Sequence, residues 1–292
     1  MLISEKLQKK EMFSKAESGV VDVISHLGES IEGVTVRQLA AKAYVSTSVV
    51  IHVCNKMGFD GYRDFVAAWM EEMRYLKNHF REVDANFPFT KQDPLRDVMT
   101  SIAKLYSETA SDTLSMAKEA DFQKAVRLLQ KAVDIHVFCI GDFISYGQVF
   151  ADRMMRIGRN VTVTDNMGRQ FFFSGNMSEK DCAIVLTYTG TTEKTIEIMN
   201  HLYSHHVPVI LIVGMGEQTI RKMSDVVLTL TTREHLSSNI GSFTSSVSAS
   251  LLLDLLYACY FRSEYEKAME RRIAYTHEYE KNRKPASALM EQ

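Results

Sequence analysis

Proline is scarce in this 292-residue chain, at 4 residues, and glycine is held to 14. That leaves little room for long flexible loops and none for a collagen-like repeat. The cysteines number 4 (Cys54, Cys139, Cys182 and Cys259) and lie far apart in apolar runs. Such spacing matches neither a zinc site nor a disulfide framework, and it suits buried, reduced thiols in the cytoplasm. An excess of one charge is also missing: Lys+Arg 34 against Asp+Glu 36 gives a net charge of -2. No global field draws the protein to nucleic acid or anionic lipid, so binding of that kind has to come from a local patch. No apolar run supplies the ~20 residues of a spanning helix. Residues 207–213 are too few, and residues 247–260 carry serines and Asp254. The first residues, MLISEKLQKKEMF, are charged and amphipathic and lack the apolar core of a signal peptide. A cytoplasmic protein with no membrane partner is expected.

Hydrophobic residues make up 46% and charged residues 24%, the composition of a folded globular chain. The length suits roughly two domains. From residue 13 to 76 apolar residues recur at three and four positions: Val20, Val21, Ile24 and Leu27, then Leu39, Ala40 and Ala43, then Val49, Val50, Val53 and Met57, then Phe65, Ala68, Trp69 and Met73. Short breaks separate them, which predicts a compact all-helical module. Residues 78–94 (NHFREVDANFPFTKQDP) hold two of the four prolines and read as a linker. Asp93 is expected to cap the next helix, with Pro94 in its first turn, and Asp121 marks the start of another. After Ala132 apolar strands alternate with helical stretches: VDIHVFCI, a helix over 148–157, VTVT, CAIVLT, a helix over 192–204, VPVILIV and VVLTL, closed by a long helix from Ser242 to about Arg262. Strands with no polar alternation are covered on both faces, as in a parallel sheet. The expected fold is therefore α/β: an N-terminal all-α domain (1–77), a linker (78–94) and a C-terminal α/β/α sandwich (95–292) with flanking helices. Its charged tail is expected to be helical before fraying past Pro285.

Residues 35–59 (TVRQLAAKAYVSTSVVIHVCNKMGF) describe two short helices joined by a tight turn, capped by Thr35 and Ser46. That is a helix-turn-helix. Its second helix would enter the major groove N-terminus first, placing Ser46, Thr47, Ser48 and Val49 near bases or phosphates. Between residues 36 and 63 the basic Arg37, Lys42, Lys56 and Arg63 face only Asp60, a local excess in a neutral chain. On pattern alone a helical dimerisation or capping module fits equally well.

The segment DCAIVLTYTGTTEK, residues 181–194, runs an apolar strand into a hydroxyl-rich turn and then a helix. Strand C-termini in open α/β sheets are where ligands sit, and helix N-terminal amides bind phosphate. Thr187, Thr189, Thr191 and Thr192 offer hydroxyls, and Gly190 lets the backbone approach closely. Neither a Walker lysine arrangement nor GxGxxG is present, so nucleotide readings are weak. A plain threonine-capped helix start is the simpler account of these residues taken alone.

The first module resembles the helix-turn-helix of the RpiR family of bacterial transcriptional regulators through Leu39, Ala40, Val45, Ser46, Val50, Gly58, Phe59, Gly61, Tyr62 and Phe65. It departs at Val49, His52 and Val53, where the family has Ser or Thr, Arg, and Phe. A histidine in the arginine's place makes a permanent phosphate or base contact a titratable one. The turn TYTGTT resembles the S-x-S-G-x-T phosphate loop of the SIS (sugar isomerase) domain with threonines for serines. The turn Gly141-Asp142-Phe143-Ile144-Ser145 resembles its G-x-G-x-S turn, with Phe143 for the second glycine. Residues 218–228 resemble the segment before the last SIS strand. The resemblance implies a DNA-binding regulator that senses a phosphorylated sugar. It assigns Thr187, Tyr188, Thr189, Gly190, Thr192 and Ser145 to the sugar phosphate, and Arg37, Ser46, Thr47, Ser48, Val49, His52 and Lys56 to operator DNA. It implies a homodimer or higher homo-oligomer, and neither cofactor, metal nor catalytic residue is assigned. Lys194 reads as an exposed helix lysine or an added phosphate contact.

Two other functions compete. A phosphosugar isomerase needs a positioned acid or base, for which Glu234 and His235 are the nearby residues, although a solvated loop suits them better. A degenerate family member acting through protein contacts would explain Phe143, Val49 and His52. His201 and His205 share a helix face but have no carboxylate partner nearby for a metal. His136, within a strand, reads as a core histidine.

Overall fold

The computed structural model describes residues 3–77, 82–216 and 219–282. The stretch past Pro285, expected to fray, lies outside the described residues, as do residues 78–81 at the start of the expected linker.

Five helices build the first module: α1 (Ile3–Gln8), α2 (Lys15–Leu27), α3 (Val36–Lys42), α4 (Thr47–Lys56) and α5 (Tyr62–Lys77). Capping boxes start α2 (Ser14 with Glu17) and α3 (Thr35 with Gln38), each satisfying two amides that lack a partner within the helix. The turn between α3 and α4 closes on Tyr44, a non-glycine residue at φ 55. The amides of Tyr44 and Val45 return to the carbonyls of Ala41 and Ala40 at 3.2 and 3.0 Å. This is a Schellman closure, which usually places glycine at the left-handed position. Gly58 (φ 95) ends α4 in the same way, with the Phe59 amide on Cys54 O at 2.9 Å. The apolar faces meet in a core of Val20, Ile24, Leu39, Val50, Val53 and Phe65. Phe59 meets Phe65 edge-on at 5.4 Å, Phe65 stacks on Trp69 at 6.2 Å, and Trp69 Nε1 donates to Gly28 O at 2.9 Å.

The second unit runs α6 (Leu95–Met116), α7 (Glu119–Lys131), β1 (Ile135–Cys139), α8 (Phe143–Met155), β2 (Thr162–Val163), α9 (Met167–Asn176), β3 (Cys182–Thr187), α10 (Glu193–Ser204), β4 (Val209–Gly214), a 3-10 turn (Thr219–Met223), β5 (Val226–Leu230), α11 (Phe243–Ser263) and α12 (Tyr265–Glu280). The sheet is parallel throughout, in the order β2-β1-β3-β4-β5. Side chains alternate between its two faces. Cys182, Ile184, Leu186, Ile210 and Ile212 join the core under α7, α8 and α11, while Ala183, Val185, Val209, Leu211 and Val213 join the core under α10. Both faces are buried, which is why these strands read as continuous apolar runs. All four cysteines are free. Burial pushes the thiols of Cys54, Cys139 and Cys182 up to about 12.

Several element ends differ from the sequence reading. Pro94 itself is the N-cap of α6, and the Asp93 carboxylate instead accepts from Thr90 N at 2.6 Å and Thr90 Oγ1 at 2.9 Å. Helix α7 begins at Glu119, so Asp121 lies inside its first turn, where an acid favours the helix dipole, and Lys118 holds the cap position. Helix α8 begins at Phe143 rather than Gln148, immediately after the β1 turn. Helix α9 has no counterpart in the sequence reading, because the residues it buries, Gln170 and Ser174, are polar; Asn166 caps it through Arg169 N at 2.9 Å. Ser46 takes the N-cap conformation of α4, but its hydroxyl makes no capping bond. Among the described helices α11 alone is long and apolar enough to cross a membrane. Ala249, Leu252, Leu253 and Leu256 bury it in the core between the sheet and its neighbouring helices.

Residues 82–94 contain neither helix nor strand. Val83 and Ala85 pack with Leu105 of α6 and Phe243 of α11. Two exposed ion pairs join the units, Lys222 to Asp60 and Lys118 to Glu71, at 2.8 and 2.9 Å. Exposed pairs of this kind contribute little on their own.

The backbone at Tyr44 gives a direct stability test. Its side chain is 96% exposed, so substitution loses no packing. Tyr44→Val is expected to lower the stability of the first module by about 1 kcal/mol, because a β-branched residue tolerates a positive φ poorly. Tyr44→Gly should leave it unchanged or raise it. Urea unfolding of the two variants checks the order.

Candidate functional site

In a sheet ordered 2-1-3-4-5 the chain leaves β1 toward one edge and returns to build the other. The connections therefore diverge at the C-terminal ends of β1 and β3, and a crevice opens there. The two strands pair in register from Ile135↔Cys182 to Cys139↔Leu186, so their exit turns lie side by side. Both turns singled out in the sequence are here. Gly141 (φ 64) turns β1 into α8, and Asp142 and Ser145 are exposed. Thr187 ends β3, and Thr192 is the N-cap of α10 in extended backbone with no capping bond from its hydroxyl.

The hydroxyls between them are partly committed to the loop itself. Buried Thr187 accepts from Gly190 N at 3.3 Å, where Gly190 sits at φ 67. Thr189 accepts from Thr191 N at 3.3 Å and Thr191 Oγ1 at 3.1 Å. A hydroxyl that accepts keeps its own O–H to donate, so both can still serve an anion. Lys194 is exposed and paired with Glu197 at 2.8 Å, which accounts for it within the helix.

Beside this loop lies a cleft of about 220 Å³, walled by Phe143, Tyr188, Glu234, His235, Asn239 and Ser245 among others. Of the six residues assigned to the ligand, Tyr188 alone lines it; Thr187, Thr189, Gly190, Thr192 and Ser145 do not. Phe143 forms a wall where the related turn would have glycine. Gly214 backs Tyr188: its amide donates to Tyr188 O at 3.0 Å, and a Cβ there would come within 2.5 Å of that oxygen. Glycine is required at this position for the loop to close against β4.

Glu234 is not in a solvated loop. It is buried, and its Oε1 accepts from Thr244 N (2.5 Å), Thr244 Oγ1 (2.9 Å) and Ser245 N (3.1 Å), while Oε2 accepts from Ser245 Oγ at 2.5 Å. It caps α11 from ten residues upstream, a contact no local motif announces. His235 is exposed at the cleft. His136 is half-buried against Phe173 at 5.0 Å, and burial pushes its pKa down. His201 meets Ser174 Oγ at 3.0 Å and the Phe171 ring at 4.6 Å. Among the described residues no group of three His, Cys, Asp or Glu is placed to hold a metal.

In the first module α4 buries Val50, Val53 and Cys54 against the core. Its opposite face presents Ser46, Thr47, Ser48, His52 and Lys56, with Val49 half-buried among them and Arg37 exposed on α3. The structure adds a residue the sequence reading omitted. Glu17 of α2 accepts from His52 Nδ1 at 2.7 Å and from Lys56 Nζ at 2.8 Å, while its backbone partner Ser14 N lies at 2.7 Å. A carboxylate from outside the counted window thus offsets part of the local positive charge. The Lys56 ammonium, then the Ser14 amide and His52, hold the Glu17 carboxyl down to about 2. Only the S-x-x-E pattern at Ser14, a capping box, pointed to Glu17 at all.

Two family models match separate parts of the chain. Residues 1–74 match the model of the helix-turn-helix domain, rpiR family, and residues 128–259 match that of the SIS domain. An HTH-type transcriptional regulator of Clostridium perfringens is 23% identical over 94% of this chain and 98% of its own length. The regulator YfhH of Escherichia coli is 23% identical over 90% and 93%. The fold is shared with the Vibrio vulnificus NanR protein solved with ManNAc-6P, at TM-score 0.61, 21% identity, and coverage of 95% of this chain and 97% of that one. It is also shared with the sugar isomerase domain of an RpiR transcription factor from Sphaerobacter thermophilus, at TM-score 0.53 and 19% identity, covering 59% of this chain and 94% of that one.

The Glu17 contacts set an acid limb. A carboxyl depressed in the folded state contributes stability that is present above its ordinary value of 4.5 and is lost as pH falls toward about 2. Unfolding midpoints measured between pH 6 and pH 2.5 should therefore fall more steeply in the wild type than in Glu17→Gln. Parallel curves would show that the carboxylate is not held as described.

Proposed function

We propose that this chain, a member of the RpiR family that joins a helix-turn-helix domain to a SIS domain, is a cytoplasmic transcriptional regulator whose operator binding changes when a phosphorylated sugar occupies the β1/β3 crevice. The observation that carries the reading is the threonine loop at the sheet's switch point in the same chain as an exposed recognition helix. The phosphate is held by the hydroxyls of Thr187, Thr189 and Thr192 and by the backbone at Tyr188 and Gly190. Ser145, in the first helical turn of α8, supplies a further contact. The sugar extends into the cleft beside Tyr188, and Phe143 limits its width.

On the DNA side α4 enters the major groove with Ser46, Thr47 and Ser48 leading and Val49 against base edges, while Arg37, His52 and Lys56 reach phosphates. Two copies are needed to span half-sites about one helical turn apart, so the working unit is a homodimer or larger. NanR of Vibrio vulnificus, solved with ManNAc-6P, supports a phosphosugar as the class of effector.

An isomerase is the weaker reading. A general base needs a carboxylate or imidazole within reach of the substrate proton. Glu234, which lines the cleft together with Asp142 and His235, spends its carboxylate on the first amides and hydroxyls of α11. No catalytic residue is assigned here.

The test is anisotropy on a duplex from upstream of the protein's own gene, titrated with hexose and pentose phosphates that include ManNAc-6P. One of them should shift operator affinity at least 5-fold, within the ordinary range of allosteric coupling. At ~100 times its Kd it should add about 2.7 kcal/mol of stability in a thermal melt. Replacing Thr189 and Thr192 by valine should weaken its binding tenfold or more. A panel that moves neither affinity nor Tm sinks the sensor.

A further inference from the structure

The segment leaving β5 faces two ways. Toward the cleft, Tyr188 Oη donates to Glu234 O at 2.9 Å and accepts from Glu234 N at 3.0 Å. Away from it, the same segment grips the strap of residues 82–87 that lies between α5 and α6. Asn86 Oδ1 accepts from His235 N at 2.7 Å, Asn86 Nδ2 donates to Arg233 O at 3.2 Å, and Asn86 O accepts from Ile240 N at 3.0 Å. Arg233 Nη2 donates to Val83 O at 2.7 Å, and its Nη1 meets Glu108 of α6 at 2.9 Å. Asn86 is 6% exposed and Arg233 is 6% exposed.

We infer that Asn86 and Arg233 are the positioning residues through which occupancy of the cleft sets the seat of the DNA-binding module. The inference rests on the function proposed above, which supplies both the sugar phosphate and the DNA. The physical argument is that these polar groups are out of water. Leaving a buried donor or acceptor without its partner is costly, so the strap moves between seats in which its bonds are made rather than drifting. A ligand touching Tyr188, His235 or Asn239 binds best to one placement of residues 233–240, and the strap's bonds depend on that same placement. Differential affinity for two placements is what couples sites, and the coupling is reciprocal. Asparagine suits the junction because its amide offers a donor and an acceptor at fixed separation.

The experiment uses the full chain and three variants, Tyr188→Phe, Asn86→Ala and the milder Asn86→Asp, which retains the acceptor for His235 N. Amide hydrogen exchange is measured first, with no ligand or DNA. Tyr188→Phe should speed exchange at His235 and Ile240 at least tenfold, and Asn86→Ala should do the same at Glu234. Operator affinity is measured next. Tyr188→Phe should change it at least 3-fold in the wild-type background and less than 1.5-fold with Asn86→Ala, with Asn86→Asp between. Exchange that rises only on the mutated side, or affinity changes that multiply independently, overturns the inference. If Asn86→Ala does not fold, Asn86→Asp and Tyr188→Phe carry the same comparison. A phosphosugar that shifts operator binding equally in wild type and Asn86→Ala leaves the sensor standing and removes this linkage. Coupled exchange with no phosphosugar response does the reverse.

Discussion

A parallel sheet buried on both faces has to send its crossovers over both faces, and everything at the candidate ligand site follows from that. Residues such as Ile184 and Val185, adjacent in the chain, enter opposite cores. With the order β2-β1-β3-β4-β5, the crossovers part between β1 and β3. The threonine turn and the Gly141 turn are brought side by side there by strand register, though 46 residues separate Gly141 from Thr187 in the chain. Gly214 on the neighbouring strand completes the constraint, since a side chain there would push Tyr188 away.

Helix α4 obeys a different constraint, electrostatic rather than topological. Its outer face is set by which residues the core claims, Val50, Val53 and Cys54 fully and Val49 in part. The charges on that face are not independent of the module behind them. Glu17 is 4% exposed, and a carboxylate so nearly buried has to be paired. His52 and Lys56 supply the pairing, so both residues serve the module's stability as well as any phosphate they reach. The substitution of histidine for the arginine expected by resemblance is therefore a change of partner geometry as well as of charge.

Glu234 bears on the choice between regulator and enzyme. Its carboxylate lies where a helix N-terminus attracts an anion, and four bonds fix it there. It is flanked by Arg233, which reaches α6 and the strap, and by His235, which bonds Asn86. Three consecutive residues thus join the cleft, the longest core helices and the chain between the two units. Such an arrangement suits transmission better than proton transfer.

Much of this molecule was legible from its residues in order. Periodicity placed α2 to α5 of the first module but not α1, the apolar runs placed the strands at 182–187 and 226–230 to the residue, and Thr35 marked a helix start that the structure keeps. These are short-range properties, set by side-chain spacing and by bonds within one turn. Helix α9 escapes because the residues it buries, Gln170 and Ser174, are polar, and Asp93 does not cap α6 because a competing turn with Thr90 claims its carboxylate. What tertiary structure alone decided are the pairings across long separations: Glu17 with His52 and Lys56, Asn86 with residues 233–240, and Tyr188 with Glu234. A polar side chain in a sequence has many possible partners, and only the packing that excludes water from it determines which one it must find.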